Sequence, residues 1–160
     1  MRRKSPTIPK SKISGRLRRV RIGVICAEYN LTLTQQLAVN CRQELLSAGF
    51  SAAQIDEFTV PGCFEIPLMA QRLAKRRCYD ILIVLGVVIR GKTHHFELVS
   101  RECARGVMQV SLAYDIPVVF EVIAAYSQRD AQRRVGPQRS NRGLEAAQTA
   151  LSLLSNILKS

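Results

Sequence analysis

"YDILIVLGVVIRGKTHHFE", Tyr79 to Glu97, decides the fold class. From Ile81 to Ile89 every residue is apolar or glycine. A strand made from such a run exposes no polar face, so both its faces must be covered, as in the centre of a parallel sheet. The run ends in Arg90-Gly91-Lys92-Thr93. Beyond it Phe96, Val99, Cys103, Val107 and Val110 recur at helical spacing, which predicts a helix entered at the carboxyl end of the strand.

The same alternation extends in both directions. "VRIGVICA" (Val20 to Ala27) predicts a strand, followed by a helix whose Leu33, Leu37, Cys41 and Leu45 share a face. "IDEFTV" is a second strand, closed by Pro61-Gly62. "FEIPLMAQRLAKRR" is a helix that tolerates Pro67 because it lies in the first turn. "IPVVFEV" is a fourth strand, "SQRDAQRRV" a short helix, and Asn141 caps a last helix carrying Leu144, Ala147, Leu151, Leu154 and Leu158 on one side. Strands alternating with helices predict a three-layer α/β/α sandwich around a four-stranded, mostly parallel sheet, flavodoxin-like in kind. Ligands bind such sheets beyond the strand carboxyl ends. The segments to inspect are therefore "EYN", "PGCFE", "RGKTHHFE" and "FEVIAAY".

A chain of 160 residues with 47% apolar content suits one domain. Its net charge of +12 is unevenly placed: residues 1–21 hold nine Lys/Arg and no acid, leaving fifteen Lys/Arg against twelve Asp/Glu in the rest, or +3. Residues 1–19 are thus expected to be a disordered, solubilising basic arm, with residues 20–160 forming the domain and no specific nucleic-acid contact expected. Five scattered cysteines without a C-x-x-C pair point to reduced thiols and a cytoplasmic protein. No apolar run approaches the roughly 20 residues that cross a bilayer.

Read from Gly86, the central stretch also fits G-x-x-x-x-G-K-T, the phosphate loop of nucleotide hydrolases. That alternative is disfavoured on physical grounds. Val87, Val88 and Ile89 are β-branched and should stay extended instead of curling their N–H groups around one anion. What remains is Gly91, Lys92, Thr93 and a helix N-terminus, suited to a single phosphate. Of the two histidines, His94 falls on the polar side of the helix and His95 about 100° from Phe96, at the border of the crevice. His95 is therefore the candidate proton-transfer residue. Tyr29, Phe64 and Phe120 stand at strand ends, where an aromatic can stack on a flat ring. Glu65 can accept from ligand hydroxyls, and the arginine-rich Arg133–Gly143 segment is either a solvated loop or an oxyanion clamp.

The blocks "VPGCFEIPLMAQRLA", "YDILIVLGVVIRGKTHHFELVSRECARGVMQVSL", "IPVVFEV" and "SNRGLEAAQTALSL" together resemble the 6,7-dimethyl-8-ribityllumazine synthase family of riboflavin biosynthesis, from about Val20 to Leu158. The resemblance implies a cofactor-free, metal-free condensation of 5-amino-6-(D-ribitylamino)uracil with 3,4-dihydroxy-2-butanone 4-phosphate. Tyr29 matches the aromatic that stacks on the pyrimidine, and Cys63, Phe64 and Glu65 the segment that binds ring and ribityl chain. Val88 and Ile89 match the strand-end backbone against the pyrimidine. Gly91, Lys92, Thr93 and Arg134 match the phosphate site, and His95 the histidine of proton transfer. Phe120 matches the aromatic that closes the pocket from a neighbouring subunit, and Arg142 stands where a lysine is usual. Further departures are Lys92 for a small or acidic residue, His94 for proline, Ala124-Ala125-Tyr126 for a polar trio, and Gln138 for a second lysine, with Arg139 close by.

The family resemblance also implies a homopentamer with active sites at subunit contacts, assembly of twelve pentamers into an icosahedral shell being left open, and riboflavin synthase as a candidate partner. A lumazine- or flavin-binding shell protein of weak activity is the non-enzymatic alternative.

Overall fold

The computed structural model describes residues 17–136 and 141–158; the expectation for the basic arm and the departures at Gln138 and Arg139 fall almost wholly outside these residues. A short 3-10 turn, Leu17–Arg19, leads into strand β1, Ile22–Ala27. Then follow α1 (Leu31–Ser47), β2 (Ile55–Val60), α2 (Ile66–Lys75), β3 (Ile81–Ile89), α3 (His95–Tyr114), β4 (Val118–Ala125), α4 (Gln128–Val135) and α5 (Arg142–Ile157). The sheet order is β2-β1-β3-β4 and every pairing is parallel. The expected three-layer, flavodoxin-like sandwich is present, with a sheet that is wholly rather than mostly parallel.

The apolar run of β3 sits between β1 and β4, and Ile81 to Val87 are all buried. Alternate residues feed two cores. Ile83, Leu85 and Val87 pack with Leu37, Cys41, Ala147 and Leu154 beneath α1, α4 and α5. Leu82 and Val84 pack with Ile66, Leu73, Cys103 and Val107 beneath α2 and α3. Each such side chain contributes roughly 2 kcal/mol by leaving water, so the strand that exposes no polar face anchors both layers.

Element ends depart from the expected boundaries for local reasons. Cys63–Glu65 forms a 3-10 turn, so α2 begins at Ile66 with Pro67 in its first turn. α3 begins at His95, with His94 as its N-cap. β4 continues past Val122 to Ala125 because Val87, Val88 and Ile89 keep pairing with Ile123, Ala124 and Ala125. Arg90 N–H then donates to the Ala125 carbonyl at 2.9 Å. The four residues between Gly86 and Gly91 are therefore extended, and no phosphate loop curls there.

Two devices fix the helices of the first core. Asn141, 2% exposed, accepts from the Gly143 and Leu144 N–H groups at 2.8 and 3.3 Å and donates to the Val135 and Gly136 carbonyls at 2.5 and 3.0 Å. One side chain thus caps α5 and ties it to the end of α4. Gly143 then lets α5 approach α1 backbone to backbone: a Cβ placed there would lie 2.1 Å from the Leu37 carbonyl oxygen. At the amino ends of the strands, Asp56 accepts from Arg21 and from the Tyr79 hydroxyl, the latter at 2.9 Å. The Arg21 hydrogen bond, helped by Tyr79, holds the Asp56 carboxyl below its usual range in spite of some desolvation.

Gly143→Ala forces that backbone contact open. It is expected to lose about 3 kcal/mol or more of stability, read as a lowered midpoint in urea unfolding.

Candidate active site

The loops at the carboxyl ends of β1, β2 and β3 are tied to one another before any ligand is considered. Glu28 N–H donates to the Val60 carbonyl at 2.8 Å and Tyr29 N–H to the Pro61 carbonyl at 3.0 Å, joining the first loop to the second. Asn30 adopts a left-handed conformation, φ 61°, that asparagine tolerates better than most residues. From there its Nδ2 donates to the Val87 carbonyl at 2.9 Å, joining the first loop to β3. In the second loop Cys63 Sγ lies so close to β3 that a Cβ on Gly86 would be 2.5 Å from it.

These ties frame an open pocket of about 710 Å³. Tyr29, Phe64 and Glu65 form one wall, Cys63 and the Val87–Ile89 end of β3 the floor, and Gly91, Thr93, His95 and Phe96 the side formed by the start of α3. Tyr29 and Phe64 are 73% and 59% exposed, so neither ring serves the core. Cys63 is buried, and desolvation pushes its thiol up to about 12 against the opposing effect of a backbone hydrogen bond at Val87. The thiol therefore gives the pocket shape and is not a nucleophile.

Thr93, in the pocket lining just before α3, accepts at its Oγ1 from His95 N–H at 3.4 Å. The first backbone bond inside the helix is Leu98 N–H to the His94 carbonyl. Of the N–H groups before it, that of His95 is turned to Thr93, and those of Phe96 and Glu97 stand at the positive end of a 20-residue helix, where an anion is favoured. His94 is almost wholly exposed, 4.0 Å from Glu97. His95 lines the pocket, as the helical geometry predicts.

The remaining expected residues lie elsewhere. Lys92 is exposed and outside the pocket lining, although its neighbours Gly91 and Thr93 are part of it. Phe120 is on β4, the edge strand, and 38% exposed. Arg134 is exposed on α4, and Arg142 begins α5. Arg142 instead pairs with Glu121 of β4, whose carboxyl also feels the charge of Arg134. Arg142 Nε stands 3.4 Å from Glu121 Oε1, and Arg142 Nη1 donates to Glu145 Oε2 at 2.7 Å. Glu121 is 15% exposed. Burial pushes its carboxyl up to about 7, against Arg142 and Arg134 and with Glu145 adding to the rise. No group of three or more His, Cys, Asp or Glu side chains is placed to hold a metal ion among the described residues.

The profile of the 6,7-dimethyl-8-ribityllumazine synthase family matches residues 19–157. The chain belongs to this family. Lumazine synthases are transferases of riboflavin biosynthesis that act on small molecules and are generally oligomeric. Among the described residues no helix is long and apolar enough to cross a membrane.

Asn30 and Glu121 are the residues that the sequence motifs pass over. The first has a signal, an asparagine between strand and helix; the second is a lone acid within the apolar strand "VVFEVIAA".

Asn30→Ala removes both the left-handed preference and the bond to Val87. It should cost about 1–2 kcal/mol and loosen the Tyr29 wall, seen as a lower thermal midpoint together with weaker ligand binding. Glu121 sets a pH slope. Its carboxyl binds a proton more tightly in the folded chain, at about 7, than at the ordinary value of 4.5. Its contribution is therefore fully present below the ordinary value and is lost as pH rises through about 7, on the order of 3 kcal/mol. Glu121→Gln should flatten that part of the stability profile, measured by thermal unfolding at a series of pH values.

Proposed function

We propose that the protein condenses 5-amino-6-(D-ribitylamino)uracil with 3,4-dihydroxy-2-butanone 4-phosphate to form 6,7-dimethyl-8-ribityllumazine, releasing phosphate and water and using only its own side chains and backbone. The observation that carries this reading is one pocket that joins two exposed rings, a carboxylate and the N-terminus of α3 beside His95. Its volume of about 710 Å³ suits two small substrates held together.

In this reading Tyr29 and Phe64 stack on the pyrimidine, and Glu65 accepts from ribityl hydroxyls. The Val88 and Ile89 backbone meets the ring edge, with Cys63 shaping the floor. The phosphate of the butanone rests on the Gly91–Thr93 turn and the first N–H groups of α3, with Lys92 adding charge at the rim. The ring amine attacks the ketone and water leaves as the imine forms. Phosphate is then eliminated, and closure of the second ring releases the last water. His95, at the pocket edge, accepts and returns protons in these steps. Holding both substrates at one place converts an encounter of two molecules into a unimolecular event, the larger share of the acceleration.

Phe120, Arg134 and Arg142 complete the site from a second copy. Support comes from their absence from the pocket of their own chain and from the exposed apolar residues of α3, Leu98, Met108 and Leu112, at 58%, 59% and 76%. Such residues suit a subunit contact. Arg134 then supplies a bidentate phosphate contact and Arg142 a contact to the pyrimidine. The assembly we assign is a homopentamer and the setting the cytoplasm, the latter supported by five free, scattered cysteines.

Mixing the purified protein with both substrates under anaerobic conditions should give lumazine fluorescence faster than a protein-free control; equal rates from folded, assembled protein would refute the assignment. His95→Ala should lower kcat by about a hundredfold without abolishing turnover, with size by light scattering unchanged.

A further inference from the structure

Glu121 lies on the face of β4 that looks toward α5, in register with buried Leu85. From α5 Arg142 pairs with it, and it interacts electrostatically with Glu145 of α5, Arg134 of α4 and the buried Cys41 thiol of α1. The guanidinium of Arg142 is thereby gripped on two sides. Nε faces Glu121 and Nη1 is bonded to Glu145, whereas Nη2 has no partner among the described residues. A guanidinium held at two of its nitrogens is restrained in its rotation, and its third nitrogen keeps two N–H donors for another acceptor.

We infer that Glu121 is a positioning residue: together with Glu145 it fixes Arg142 so that Nη2 is presented to the pyrimidine substrate in the pocket of an adjoining subunit. The inference rests on the proposed function, and it assigns to Glu121 a task that neither the pocket nor the motifs include. It also accounts for an otherwise costly side chain. An ionised carboxylate buried on an edge strand opposes folding above neutral pH, and a glutamine of the same shape would avoid that cost. What glutamine lacks is the charge that holds the guanidinium.

The same geometry makes the grip dependent on protonation. Once Glu121 takes up a proton, only Glu145 retains Arg142, and the guanidinium regains a rotation about its own axis. Because burial brings that uptake close to neutrality, positioning should weaken from pH 8 to pH 6.

The test is steady-state kinetics of wild type, Glu121→Gln and Arg142→Ala from pH 6 to pH 8.5, each checked for assembly by light scattering. At pH 8, Glu121→Gln should raise KM for the ribitylaminouracil about tenfold, with kcat and KM for the butanone phosphate within about twofold of wild type. Wild type should approach the variant's KM as pH falls, while the variant stays flat. A purely structural role would shift stability and leave this split untouched. If Glu121→Gln keeps the wild-type KM and pH profile while Arg142→Ala raises KM, Arg142 is held without Glu121 and the inference fails.

Fluorescence titration with 6,7-dimethyl-8-ribityllumazine separates this from failure of the proposed function. Wild type that forms no lumazine, yet binds it with an affinity dependent on Glu121 and pH, would refute the reaction and uphold the positioning. If Glu121→Gln does not assemble, Glu121→Asp keeps a carboxylate set one methylene back. It should show an intermediate KM with the pH dependence retained, and a wild-type KM throughout would overturn the inference.

Discussion

Both faces of β3 are buried, and the remainder of the molecule follows from that constraint. A strand without polar side chains cannot lie at the surface or at an edge, so β1 and β4 flank it and a helical layer covers each side. Its amide and carbonyl groups are consumed by its neighbours along nearly its whole length. Only at its carboxyl end do backbone groups emerge where a ligand could meet them. There the Val87 carbonyl is taken by Asn30, so the loop bearing Tyr29 is anchored to the same strand that forms the pocket floor. Rigidity in the core is in this way passed to a surface wall.

The two halves of the proposed site are governed by different physics. The pocket half depends on shape: loops tied by backbone hydrogen bonds, an inert thiol below Gly86, and two rings left in solvent. The β4–α5 half depends on charge, with Arg134, Arg142, Glu121 and Glu145 nearly cancelling. Keeping them apart within one chain spares the pocket a set of competing carboxylates. Bringing them together only in an assembly, as the proposed function requires, makes the complete site a property of the oligomer.

Much of this was legible from the residues. The uninterrupted apolar run of β3 and the helical spacing after it are signals of burial, which sequence expresses directly, and they placed the sheet, the layers and the strand ends. The pocket residues were legible because the end of a parallel strand is a fixed location: Tyr29, Cys63–Glu65 and His95 each follow a strand within a few positions. The extended state of Val87 to Arg90 was likewise readable from β-branching, which set aside the phosphate-loop spacing. What could not be read was any contact dependent on tertiary approach. Nothing in the spacing of Asn30 and Val87 reveals their bond, and nothing local shows that Gly143 must be small because Leu37 lies against it. Glu121 stood out only as an acid in an apolar strand, and the charged groups that act on it come from α4 and α5.

The distribution of sulfur has a practical corollary. Cys26, Cys41, Cys63 and Cys103 are buried, and desolvation raises each thiol to about 12. Cys78 is exposed, in the turn between α2 and β3 at the end of the sheet remote from the pocket. A maleimide dye or spin label applied to the native protein would thus couple at one position per chain, and the chains of a symmetric assembly would carry their probes at symmetry-related points. The molecule holds, without engineering, a ruler for its own assembly.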